Sequence, residues 1–204
     1  ILDAVETKYG KARRVWVFDR GIVTEENLKV LRERGAHYLV GTPRSELKSY
    51  EQRLLDGTWQ QINAEVHVQL VAEQDEIYVL CRSTERRNKE RAMRRRRLRA
   101  LMGDLRRLRR RVRAGQLKAS KVIQRQVGRL HERHAQAWRW LELKVEGQEV
   151  SWDWDREQFQ QAVRREGAYL LRAHWTEKDP QKLWRTYMQL SEAEADFRTL
   201  KSEV

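Results

Sequence analysis

The chain has 204 residues, 40% of them apolar and 36% charged, a balance that fits one globular domain, or one domain carrying an insertion, rather than a disordered chain. Forty-three Lys and Arg against 30 Asp and Glu leave a formal charge of +13. No apolar run approaches the ~20 residues needed to span a bilayer, so no membrane partner is expected. The single Cys81 excludes an intramolecular disulfide and fits a reducing cytoplasm.

Val15–Phe18 is a short apolar run that ends at Asp19-Arg20-Gly21 and reads as a buried strand stopped by a turn. Thr24 then opens a helix to about Arg34, with Leu28 and Leu31 inward and Gly35 as its stop. His37–Gly41 returns as a second strand, and this strand–helix–strand unit points to parallel pairing. A short helix between Glu46 and Leu55 puts Leu47, Tyr50 and Leu54 on one face. Val66, Val68 and Leu70, a turn at residues 73–75, and Ile77, Val79 and Cys81 read as a hairpin.

The positive charge is concentrated in the next stretch. Residues 82–133 hold 21 Lys and Arg against four acids, a balance of +17 that leaves the rest of the chain at −4. Such a local excess suits a polyanion such as nucleic acid, although a solvated charged face on a helix pair would look the same. Leu98, Leu101, Leu105, Leu108 and Val112 recur at spacings of three and four. So do Ile123, Val127, Leu130, His134, Ala137 and Leu141. With Ala114-Gly115 between them and Ser120 as a cap, these runs predict a basic antiparallel helical hairpin over 86–141.

Trp138–Val145 and Glu149–Trp154 flank Glu146-Gly147-Gln148 as a second hairpin. Trp152 and Trp154 share one of its faces, suited to packing of an insertion against the core or to stacking on unpaired bases. His131 and His134 stand three apart on a helix with no acidic or Cys partner on their own face of it, which favours ordinary histidines over a metal site. Asp155 caps a helix ending at Gly167, Ala168–Leu171 is another buried strand, and Thr176 to Asp179 with Pro180 announces a terminal helix.

Within that terminal segment Tyr187, Leu190, Glu194 and Lys201 are separated by two, three and six residues. The pattern resembles the Y-(2)-R-(3)-E-(6)-K signature of DDE-type transposases of bacterial insertion sequences, with Leu190 in the arginine slot. Val17–Gly21 resembles that group's second catalytic block, and Gly167–Arg172 the strand before its third. The resemblance implies an α/β, RNase H-like mixed sheet with a long insertion before the last catalytic helix. The partial core would occupy 1–45, the insertion 46–166, and the return to the core 167–204.

The resemblance further implies Mg²⁺ bound by Asp19 and Glu194 as catalytic carboxylates, with Tyr187 and Lys201 contacting DNA phosphates. Arg94, Arg95, Arg96 and Arg97 are the DNA-binding candidates of the basic hairpin. The implied partner is double-stranded DNA, as transposon ends and target, and a homodimer in a synaptic complex fits that chemistry. Leu190 departs from the pattern, because an aliphatic side chain has no phosphate-binding role. The family's first aspartate has no place between Asp3 and Asp19, so the chain reads as an internal piece that would not transpose DNA alone. A non-catalytic helical-hairpin binder of nucleic acid and an RNase H-like nuclease are the alternatives. Ser191 and Glu194 also match a local helix-capping box, a purely structural reason for the glutamate.

Overall fold

The computed structural model describes residues 7–8, 10, 15–18 and 24–202, without the side chains of 194, 195, 197, 198 and 200–202. It divides into two compact units, residues 1–84 with 168–204 and residues 85–167.

The first unit is built on a six-stranded mixed sheet. Strand β1 (Val15–Phe18) runs parallel to β2 (His37–Gly41), with Trp16 opposite Tyr38 and Phe18 opposite Val40. Between them α1 (Glu25–Glu33) starts at Thr24, whose hydroxyl accepts from the Asn27 N–H. It ends as expected at Gly35, where φ is +67° and the Ala36 N–H reaches back to the Leu31 carbonyl. A 3-10 turn, Glu46–Tyr50, runs into α2 (Glu51–Asp56) and buries Leu47, Tyr50 and Leu54.

The remaining strands are β3 (Gln60–Gln61), β4 (Val66–Glu73), β5 (Glu76–Ser83) and β8 (Ala168–His174), which give the order β1-β2-β8-β5-β4-β3. All pairings beyond β1 and β2 are antiparallel. The 66–81 hairpin therefore belongs to the main sheet. The insertion expected over 46–166 is correspondingly shorter, because the second unit begins only at residue 85.

Alternation along the strands sorts the core into two layers. Leu39, Val66, Val68, Val79, Cys81, Leu171 and Ala173 meet Leu183 of the terminal helix α7 (Pro180–Ser202) on one face. On the other, Tyr38 and Val40 meet Leu28 and Leu31 of α1, while Leu80 and Leu170 meet Leu47 and Leu54. Helix α7 begins at Asp179, whose carboxylate accepts from the Gln181 N–H with Pro180 in the first helical position. It then continues without a break through Ser191 and Glu194. The capping-box expectation for that pair is thus overturned, since no helix starts there to leave backbone donors free.

The second unit contains α3 (Thr84–Arg113), α4 (Ser120–Arg133), α5 (Ala135–Trp138), the hairpin β6 (Leu141–Glu146) and β7 (Glu149–Trp154), and α6 (Arg156–Arg164). Leu101 and Leu105 pack with Ala137, and Leu108 and Val112 with Ile123, so the two long helices are antiparallel. Ser120 is the first helical residue rather than the cap; the cap position falls to Ala119, which makes no side-chain hydrogen bond. The apolar run expected to extend to Leu141 breaks at His134, whose backbone leaves the helical region, and Leu141 begins β6. Asp155 caps α6 by accepting from the Gln158 N–H, as expected.

Candidate functional site

Asp19 lies outside the described residues, and so do the side chains of Glu194 and Lys201. What is described is the framework that carries them. Asp19 directly follows β1, and Glu194 lies in the second half of α7. Helix α7 packs on the Leu39 face against β1, β2, β4 and β5. Trp184 and Tyr187 pack their rings against that core, and the Trp184 indole N–H donates to the Tyr169 hydroxyl at 2.7 Å. Leu190 is half-buried. The helix is thereby held to the sheet by its opening turns, before the position of Glu194.

The opposite face of the same sheet holds an ion network that sequence reasoning missed. The Arg172 guanidinium donates to Glu76 at 2.7 Å and also to Glu25. Arg32 donates to the Tyr38 hydroxyl at 2.8 Å and to Glu76 at 3.0 Å, and that hydroxyl donates to Glu76. The hydrogen bond from Arg172 holds the Glu25 carboxyl below its usual range. Burial, helped by the Glu76 acceptor, pushes the Tyr38 hydroxyl up. With both carboxylates matched by guanidinium groups, the cluster ties α1 and β5 to β8 and leaves no charge deficit for a metal ion. One signal was readable: an arginine in the middle of the apolar strand Ala168–His174 demands a buried partner.

In the second unit the four arginines taken together in sequence separate by helical phase. Arg95, Arg96 and Arg97 are exposed. Arg94 is not: its side chain is 13% exposed, donates to Glu166 at 2.5 Å and 3.3 Å, and covers the Phe159 ring at 4.9 Å. The Glu166 side chain is 4% exposed and also meets Arg91 at 3.8 Å. Arg94 is therefore occupied in holding α3 to the α6 end, because a buried carboxylate needs a fixed cation more than solvent-facing DNA does.

His134 does have an acidic partner, supplied by the other helix. Its Nε2 lies 2.9 Å from Asp104, and this hydrogen bond, with Arg107 nearby, holds the Asp104 carboxyl low. His131 sits beside Trp138 at 5.1 Å. Trp152 packs within its own unit, among Leu143, Val150 and the long helices, with Arg109 over its ring. Trp154 remains 45% exposed against Phe159.

Among the described residues no group of three or more His, Cys, Asp or Glu is placed to hold a metal ion. No helix among them is long and apolar enough to cross a membrane. No family model, curated protein or solved structure matches the chain.

Proposed function

We propose that the chain is part of the catalytic domain of a DNA transposase of RNase H-like fold, which cuts transposon ends and joins the 3′-OH to target DNA. The observation that supports it is the placement of α7 against β1. The strand that Asp19 follows and the helix that carries Glu194 share one face of one sheet. A parallel β1–α1–β2 unit and an antiparallel β8 leading into α7 fit the same reading.

Asp19 and Glu194 are the hard oxygen donors that Mg²⁺ takes, which makes the donor chemistry suitable, and further ligands would come from elsewhere in the protein. Mg²⁺ held there would assist the attacking oxygen and stabilise the leaving one during in-line displacement. The chain's own contribution is positional. For the two carboxylates to converge, Asp19 has to continue the alternation that turns Val15 toward the Leu39 face, where α7 lies. Lys201, about two helical turns beyond Glu194, is the cation for a DNA phosphate, and Tyr187 anchors the helix through its ring.

The test uses the chain together with its upstream coding sequence, a transposon-end duplex and Mg²⁺. Asp19→Asn and Glu194→Gln should each abolish strand cleavage while duplex binding persists. Cleavage without strand joining in the parent protein would replace transposition by nuclease activity. Cleavage that survives both substitutions would sink the proposal.

A further inference from the structure

The second unit is electrically two-sided. Along α3, Leu101, Leu105, Leu108 and Val112 are buried. Half a turn away Arg96, Arg99, Arg106 and Arg110 are exposed, and no hydrogen bond or ion pair engages them among the described residues. Their spacing of three, seven and four keeps them on one line over about 21 Å of helix. The β6–β7 hairpin covers the other side of this core with Leu143, Val145 and Val150. It turns Glu142, Glu146, Glu149 and Asp153 to solvent, against Lys144 of its own strands and Arg113 of α3, which meets Glu149 at 3.4 Å. A polyanion is thus attracted to the α3 line and repelled by the hairpin surface.

Gly103 completes the line, at the gap between Arg99 and Arg106. A glycine inside a helix is unfavourable relative to alanine. Nothing within 4 Å would meet a Cβ added there, so packing inside the protein gives no reason for it. It is a point where the helix backbone is bare between two pairs of free guanidinium groups, the arrangement that lets another backbone approach closely.

We propose that α3 is a phosphate-docking rail for duplex DNA, with Arg96, Arg99, Arg106 and Arg110 on the phosphates and one sugar–phosphate strand passing over Gly103. Duplex fits better than single strand, because the line is straight and rigid and carries no aromatic ring on which bases could stack. A lipid surface does not fit, because the apolar face of α3 is already buried in its own unit. The proposal adds a surface to the DNA-directed reading above, and its test involves no cleavage, so the two can fail separately.

The test is anisotropy of a short labelled duplex with the full chain, titrated with salt in the absence of Mg²⁺. Arg99→Ala/Arg106→Ala/Arg110→Ala should lower the log–log salt slope by about 2.7, at about 0.9 for each lost phosphate contact. Gly103→Phe, which changes no charge, should weaken binding about tenfold or more by holding the strand off. Glu142→Gln/Asp153→Asn should bind like the parent. Circular dichroism should show all three variants folded; should Gly103→Phe fail to fold, Gly103→Leu replaces it. An unchanged slope in the triple variant, an unchanged affinity with the bulky residue at 103, or preference for single strands or anionic vesicles over duplex would each overturn the proposal.

Discussion

Replacing Arg94 by alanine should damage the fold of the second unit, where the same change at Arg97 should not. The difference comes from burial. Arg94 neutralises Glu166, whose side chain is 4% exposed, through two hydrogen bonds, and its guanidinium lies over Phe159. Removing one member of a buried pair leaves a charge without compensation and costs about 3–5 kcal/mol. Arg91 at 3.8 Å offsets part of that, while loss of the cation–ring contact adds about 1 kcal/mol. The net loss should be about 3 kcal/mol. Arg97, exposed and unpaired among the described residues, should cost less than about 0.5 kcal/mol.

Urea denaturation followed by far-ultraviolet circular dichroism measures the loss, and hydrogen exchange over residues 85–167 assigns it to this unit. Arg94→Met/Glu166→Met separates the pair from its packing. Two apolar side chains of similar length should recover most of the stability, because the buried charge is gone as well. A loss under about 1 kcal/mol for Arg94→Ala would refute the account and return Arg94 to the solvent-facing arginines.

Arg172→Met should destabilise the first unit by about 2 kcal/mol, since the part-buried Glu76 keeps only the Arg32 guanidinium and the exposed Glu25 loses its nearer one; differential scanning calorimetry reads it. Asp104 has a depressed pKa, so its contribution is complete above the ordinary carboxylate range and disappears as pH falls through the lowered value. Asp104→Asn should therefore weaken the protein at neutral pH and flatten the acid side of its stability profile, followed by urea denaturation across the acid range. Gly103→Ala should stabilise α3 by about 1 kcal/mol, measured by thermal melting, because the added methyl meets nothing. Leu101→Ala, at a fully buried position between the two long helices, should cost about 2–5 kcal/mol in urea denaturation.

What could be read in the sequence was local. The strand Val15–Phe18, the helix from Thr24 to Gly35 and the hairpin at 66–81 each carry their own start, period and stop, and each forms where its pattern places it. The insertion of β8 between β2 and β5 had no such signature, because its partners stand far away in the chain and any apolar strand would pair as well by pattern alone. The same limit explains the break at His134. The heptad spacing runs on through Ala137 and Leu141, while the backbone leaves the helix at His134, whose ring partner Asp104 stands on the facing helix.

The arginine run teaches the sharper lesson about the candidate site. Arg94 to Arg97 are four identical letters, and composition treats them as one patch. A helix advances about 100° per residue, so neighbours in such a run point in different directions. Arg94 falls in phase with Leu101, Leu105 and Leu108 and goes inward, where Glu166 awaits it. Arg96 falls in phase with Arg99, Gly103, Arg106 and Arg110 and goes outward. The apolar period that defined the helix already contained that division: an arginine seven residues before Leu101 shares its side of the helix, and an arginine three before Arg99 does not. A basic run on an amphipathic helix is therefore assigned first by phase against the apolar seam and then by whether an acid meets the seam-side cation: Glu166 meets Arg94, whereas Arg97, four before Leu101, meets none among the described residues and stays exposed.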